Sequence, residues 1–390
     1  MEAGGTGLNA VHVVDMGVAT ALGHGADVLW EALLAGRTGL APVRRFATDG
    51  YLSNLAGCIP ALDTQRPGSR LDALVRILFG ESSAIPVDAM LITASTKAGI
   101  DQLEVSVRNQ PPTRSGATGQ PLDRILGCQV AESVADRLGL RGARYNISAA
   151  CASATIALAV GAARIEQGEA DSILVCGLDL VSEFVFSGFS ALHALSSSAC
   201  RPFDTGRDGL LLGEGAAYLL LMSEGRCRQV RRASLGRIAG WGIASDAHHI
   251  TAPSRTGEGL ILAIRQALDH AGLRPADVAA VSAHGTGSVY NDAMELTAFG
   301  TLFDPLPPLH SIKGAIGHTM GACGAIEAIV GLCSLEHQCL PPTVGLRTPE
   351  PAGLGRVSPE AQPISGDYIL TTNSGFGGIN ACLVLQRGRP

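Results

Sequence analysis

Aromatic residues are scarce, at 4% of 390 positions, and Asp, Glu, Lys and Arg together reach only 16%. So little charge beside 46% hydrophobic residues excludes a disordered chain and calls for a large core. Few aromatics with 49 glycines imply close backbone packing of strands and helices. A net charge of −6 gives no support for nucleic-acid binding. The densest basic stretch, Arg226, Arg228, Arg231, Arg232 and Arg237, reads as a solvated connector. No CxxC pair occurs among ten irregularly spaced cysteines, so reduced thiols in a cytoplasmic protein are expected. The opening MEAGGTGLNA lacks a basic segment followed by an apolar run, and no signal peptide is expected. The uncharged window 146–163 contains Asn146, Ser148, Cys151, Ser153 and Thr155, which makes it a poor membrane span. HExxH, GxSxG, a nucleotide cradle and metal-spaced Cys/His sets are all missing, so no cofactor and no metal are implied.

What is present is an alternation of strand and helix signals. Strands are expected at 11–16, 87–94, 145–148, 172–177, 215–222, 238–244, 278–284, 368–372 and 381–385. Helices are expected at 27–35, 70–79, 122–138, 151–167, 258–271 and 322–335, several of them stopped by a glycine. Residues 37–70 and 109–119 read as loops, the second as a mobile one. Strand–loop–helix near 11–35 recurs near 238–271, which suggests a duplicated unit of two halves, 1–225 and 226–390. Such alternation implies an α/β protein whose mixed sheet is covered on both faces.

The stretch 145–164 reaches a thiol, Cys151, and then continues as a helix with almost no polar face, hence buried all round. A cysteine at a helix start meets unpaired N–H groups and the positive end of the dipole, so a depressed thiol pKa is expected. The same thiol would also suit an inert core position. Three further clusters follow: 283–292 with His284, 311–327 with Lys313 and His318, and Asn373-Ser-Gly-Phe-Gly-Gly-Ile-Asn380. Singly, a histidine after a strand or a run of glycines is more often structural than catalytic.

Jointly and in this order, with Arg201-Pro-Phe-Asp204, Gly213-Glu-Gly215 and 246–253, these motifs resemble the elongating β-ketoacyl-acyl-carrier-protein synthases. The resemblance covers nearly the whole chain. It implies a thiolase-like fold, two pseudo-duplicated halves in α-β-α-β-α layers, and decarboxylative condensation of an acyl chain with malonyl carrier. It further implies Cys151 as nucleophile, His284 and His318 as the paired histidines, and Lys313 as their support, positioned by Asp292 and Glu327. Main-chain N–H groups of Cys151 and Phe376 match the oxyanion hole, with Phe376 also the gate of the acyl pocket. Thr251, Thr286, Ser288 and Phe189 match positions that hold substrate and the carrier's pantetheine arm. Arg70 is a candidate for docking the acidic carrier protein. The implied assembly is a homodimer, or a heterodimer with a chain-length-factor-like homologue.

Several positions depart from the family pattern. Ser374 stands where Phe is usual, Ser288 replaces Thr, His248 replaces Tyr, and His193 replaces an Arg that often contacts the carrier. The span 195–201 is short. These features resemble compact members of aryl-polyene and type II polyketide pathways. A biosynthetic thiolase would carry a second catalytic cysteine where this chain reads Gly-Phe-Gly-Gly. An initiation-type enzyme would carry Asn in place of His318. A non-catalytic chain-length partner generally lacks the nucleophile.

Overall fold

A computed structural model describes residues 9–62, 69–80, 84–97, 99–109 and 126–388. Ten strands in chain order form one mixed sheet: β1 (Val11–Thr20), β2 (Met90–Ala94), β3 (Arg144–Ile147), β4 (Ser172–Asp179), β5 (Gly215–Ser223), β6 (Gly236–Ser245), β7 (Ala280–Ser282), β8 (Leu309–His310), β9 (Tyr368–Gly375) and β10 (Ile379–Arg387). A short arm, Gly23–His24, pairs with β1.

The strand order β8-β7-β9-β10-β6-β1-β5-β4-β2-β3 divides into two equivalent sets. From β1 outward the N-terminal set runs β5, β4, β2, β3, and from β6 outward the C-terminal set runs β10, β9, β7, β8. In each set the first two pairings are antiparallel and the last two parallel. Among the described strands, the antiparallel pairing of 11–13 with 236–238 joins them.

Two helices, α5 (Ser153–Glu166) and α11 (Cys323–His337), touch each other and strands of both sets. Here and below, helices are numbered by their place among the eleven of the described residues. Ala154, Ala157, Leu158 and Ala162 of α5 and Ala325, Ala328 and Ile329 of α11 share one core. Small residues allow this central layer to sit close to both sheets. At Gly324 an added Cβ would fall 2.0 Å from Thr155 Oγ1, so only glycine fits there. The outer layers are α2 (Arg70–Phe79) and α4 (Gly127–Leu138) on one side, and α8 (Glu258–Ala271) and α9 (Val289–Leu302) on the other. The result is the expected α-β-α-β-α stack.

The expected elements are present, with shifted ends. β1 continues four residues past the sequence expectation, to Thr20, and β9 three residues further, to Gly375. Of the expected helix 122–138, residues 122–125 lie outside the described residues, as do 110–119 of the expected mobile loop. Five helices were not anticipated: α3 (Ile100–Asn109), α6 (Glu183–Ala191), α7 (Glu224–Val230), α9 and the short α10 (Lys313–Ile316). α7 corrects the reading of 226–237 as a plain solvated connector. Ser223 caps it by accepting from the Arg226 N–H at 3.2 Å, and Arg226 pairs with Asp88 at 3.4 Å. Among the described residues, no helix is long and apolar enough to cross a membrane.

Candidate active site

Cys151 follows β3 and precedes the first turn of α5. The turn that presents it is held by Ser153, whose hydroxyl donates to Ala150 O at 2.6 Å and accepts from Ala149 N at 2.9 Å. Ala150 takes the left-handed conformation at φ 48°, a strained setting for a residue with a Cβ. The thiol is 8% exposed and lines a cavity of about 350 Å³.

The expected depression of its pKa is not met. Cys151 sits two residues ahead of the helix, and burial raises the thiol to about 12 although Lys313 and the Phe376 N–H pull the other way. Desolvation of a thiolate outweighs one ammonium and one N–H group here. The cavity therefore holds a thiol rather than a free-standing thiolate.

His318 and His284 come from the other half and face the sulfur. His318 Nε2 lies 3.0 Å from Cys151 Sγ, and the two imidazoles meet edge to face with centroids 5.1 Å apart. Both rings are 1% exposed, and burial with the nearby Lys313 charge holds both pKa values well below the usual range. They are neutral at pH 7. The partners of Nδ1 then decide the tautomers. His318 Nδ1 accepts from Met320 N–H at 3.2 Å, where Met320 adopts φ 50°. His284 Nδ1 faces two donors, Lys313 Nζ at 3.2 Å and Asn373 Nδ2 at 3.0 Å. Each ring must carry its proton on Nε2, so both turn an N–H group toward the cavity. The Cys151, His284 and His318 donor atoms lie within 4.8 Å of one another, close enough to suggest a thiophilic metal. A metal needs a lone pair on Nε2, which this hydrogen bonding denies.

Behind the rings Lys313 is ion-paired with Glu327, and its ammonium also donates to His284 O. Glu327 accepts from Asn373 Nδ2 at 2.7 Å. Burial opposes the Lys313 charge, but Glu327, with Cys323 and Glu295, brings its pKa out above the usual lysine value. The expected second partner of Lys313, Asp292, is elsewhere. It accepts from the N–H groups of Phe203 (2.8 Å), Thr286 (3.0 Å) and Gly287 (3.2 Å) and so shapes the 286–288 loop. One turn along α9, Glu295 accepts from His284 N at 2.7 Å and from Gly285 N at 2.6 Å. Burial and the neighbouring Asp292 push Glu295 up to about 8.

Phe376 occupies the hairpin between β9 and β10, which turns on Gly377 and Gly378 at φ 91° and 78°. Its ring stacks on Phe189 at 5.7 Å and is 36% exposed at the cavity mouth. Phe189, Thr251, Thr286, Ser288, His193 and Ser374 line the cavity, whereas His248 does not. Arg70 lies outside it, at the start of α2. Its guanidinium faces Glu104 at 3.6 Å with 21% of the side chain exposed, so it is not a freely presented cation.

Four contributors carried no assigned role in the sequence reading. Asn373 bridges His284 and Glu327. Glu295 fixes the His284 main chain. Asp179 at the end of β4 accepts from Ser95 Oγ (2.8 Å), Thr96 N (3.0 Å) and Gly321 N (2.7 Å), tying the loop after β2 to the turn before α11. Cys323 donates from its thiol to Cys151 O at 3.1 Å. Position at a strand end could have flagged Asp179, and the i, i+3 spacing from Asp292 could have flagged Glu295. Asn373 and Cys323 stood inside quoted motifs with nothing local to mark them.

Comparison with known proteins bears on this geometry. The family model for the β-ketoacyl synthase N-terminal domain matches residues 84–226, and that for the C-terminal domain matches residues 235–347. The chain is 30% identical to 3-oxoacyl-[acyl-carrier-protein] synthase 2 of Staphylococcus aureus (strain COL), over 97% of this chain and 98% of that protein. A β-ketoacyl synthase from Burkholderia phymatum STM815 superimposes with a TM-score of 0.88 at 28% identity, covering 98% of this chain and 100% of the other. The ishigamide ketosynthase/chain length factor gives a TM-score of 0.87 at 28% identity with the same coverage.

Proposed function

This chain belongs to the β-ketoacyl synthase family, and on that premise we propose that its cavity carries out decarboxylative condensation on the Cys151 sulfur. The observation that carries the proposal is the pair of neutral imidazoles with protons on Nε2, His318 Nε2 lying 3.0 Å from the Cys151 sulfur and the His284 ring edge to face beside it.

The steps follow from these groups. Cys151 sulfur attacks the thioester carbonyl of an acyl carrier, and the oxyanion is held by the main-chain N–H groups of Cys151 and Phe376. The tetrahedral intermediate expels the carrier sulfur, which leaves with the proton Cys151 loses. Malonyl carrier then enters with its pantetheine arm along Thr286, Ser288 and Thr251. Breaking the bond to the carboxylate releases CO2 and leaves its electron pair in an enolate. The two Nε2–H groups receive the enolate oxygen, and in a dry cavity such donors are worth far more than in water. The enolate carbon attacks the acyl-cysteine carbonyl, the carbon–sulfur bond breaks, and the thiolate regains a proton from solvent. Lys313, Glu327 and Asn373 act one step removed, keeping the His284 proton on Nε2.

The partner is an acyl carrier protein loaded with acyl or malonyl groups, by analogy with the relative named above. The ishigamide ketosynthase/chain length factor supports assembly with either a second copy or a chain-length-factor-like homologue. On this reading the chain is a compact member of the type II polyketide or aryl-polyene kind, which rests on the family departures at Ser374, Ser288, His248 and His193. A non-catalytic chain-length role would leave Cys151 and both imidazoles without use. The deciding experiment is Cys151→Ala offered acyl and malonyl carriers, read by intact-mass spectrometry. Acyl loading and condensation should vanish while CO2 release persists, and normal condensation by the variant would overturn the assignment.

A further inference from the structure

The basic run 226–237 plays no part in the condensation. Most of its charges are spent locally: Arg226 on Asp88, Arg228 on Glu224, and Arg232 on Asp15 at 3.6 Å. Arg237 differs. No ion pair or hydrogen bond engages its side chain among the described residues, and its Nε is buried without a partner. It lies on β6, opposite His12 of β1 and Gln386 of β10. This is the end of the sheet remote from the thiol, because β6 reaches the Phe376 hairpin only at Ser245, paired with Ile379.

His12, Ser234, Arg237, Gln386, Arg387 and Gly388 enclose a cavity of about 250 Å³. Arg237, Arg387 and His12 line it, the Arg387 guanidinium also donating to Glu336 O at 3.4 Å, and among the described residues no carboxylate does. The Ser234 hydroxyl donates to Gly236 O at 2.9 Å, so its oxygen accepts from His12 Nδ1–H at 2.9 Å. That leaves His12 Nε2 as a second buried atom without a partner. Buried polar atoms normally find partners, and a cationic, carboxylate-free cavity with two unmet ones is short of an anion.

We propose that this cavity binds a small phosphate-type oxyanion, free or as the end of a phosphomonoester, gripped by Arg237 and Arg387 with His12 adding an N–H group. The planar guanidinium fork suits tetrahedral oxyanions. Protonation of His12 accompanies binding. The charges facing His12 are Arg237 on β6, Arg387 on β10, and Glu224 and Arg228 on α7. Burial and Arg237 keep the empty site's imidazole neutral, and an anion reverses the balance. Affinity therefore rises as pH falls.

The test is calorimetric titration of the full chain with sodium phosphate and, separately, sulfate, at ionic strength held constant with chloride. One saturable site per chain is expected, with affinity reduced at least tenfold in Arg237→Gln and in Arg387→Gln while condensation is unchanged. Two variants guard against one that fails to fold. Sulfate does not titrate in this range, so its binding should weaken from pH 6 to pH 8 in the native chain and not in His12→Asn. Glycerol 3-phosphate separates the two sources: tighter binding than phosphate assigns a phosphomonoester, and equal or weaker binding assigns the free ion. No saturable binding beyond chloride, or equal binding by both arginine variants, would overturn the site.

Discussion

Replacing Lys313 by Met tests the support behind the imidazoles most directly. Lys313 and Glu327 side chains are each 1% exposed, and among the described residues the further partner of Glu327 is the Asn373 amide. Removing the ammonium leaves a buried carboxylate uncompensated, which costs about 3–5 kcal/mol. The double variant Lys313→Met/Glu327→Met removes both charges and should recover most of that loss, because apolar replacements of buried pairs are often neutral or better. Activity behaves differently. Both variants lose the Lys313 contact at His284 Nδ1 and the positive charge behind the ring. CO2 release from malonyl carrier should fall about 10²–10³-fold in each, the usual loss when one preorganised oxyanion donor is impaired. Urea unfolding at one protein concentration, beside CO2 release from malonyl carrier, reads both effects. A single variant within 1 kcal/mol of the native chain, or a double variant weaker than the single, would refute the buried-pair argument. Undiminished CO2 release would refute the support of His284.

Other outcomes follow from the same geometry. Both imidazoles should stay neutral with the proton on Nε2 from pH 6.5 to pH 9, as read by ¹⁵N chemical shifts of labelled histidine; titration of either near 6.5 would reject the tautomer assignment. Glu295 is raised from 4.5 to about 8, so its stability contribution is whole below pH 4.5 and lost as pH climbs through 8. Glu295→Gln should remove up to about 5 kcal/mol of that decline between the two limits, measured by urea midpoints; an unchanged pH profile would contradict it. Phe189→Ala removes the ring stacked on Phe376, worth about 0.5–1.5 kcal/mol, and should change acyl loading up to about tenfold while sparing CO2 release. Equal effects on both half-reactions would show that Phe189 does not serve the gate.

The strand and helix alternation was legible from local signals, whereas the layered fold and the sulfur–imidazole contact were legible only from the joint order of motifs that resembles a known family. β4 and β5 are mostly apolar runs, α5 has almost no polar face, and Cys151, His284, Lys313 and His318 stand in motifs whose joint order is distinctive. The misses share a physical cause. α9 mixes buried Asp292 and Glu295 with apolar residues and so lacks a clean amphipathic stripe. The resemblance placed Glu327 correctly beside Lys313 but not Asp292, because the main-chain N–H groups of Phe203, Thr286 and Gly287 compete for that carboxylate. The thiol pKa was misjudged because helix position is visible in a sequence, whereas the depth of burial beside it is not.

Sulfur and imidazoles are supplied by opposite repeats, and the contact between α5 and α11, with the main-chain bonds of His318 to Leu211 and Gly213, helps keep them in register. Turnover is therefore a gauge of that junction: a small slippage of one repeat against the other would silence the enzyme while each kept its own strands and helices. Such a molecule would look native to circular dichroism and still be inert, so a catalytic loss in this chain points first to the middle layer.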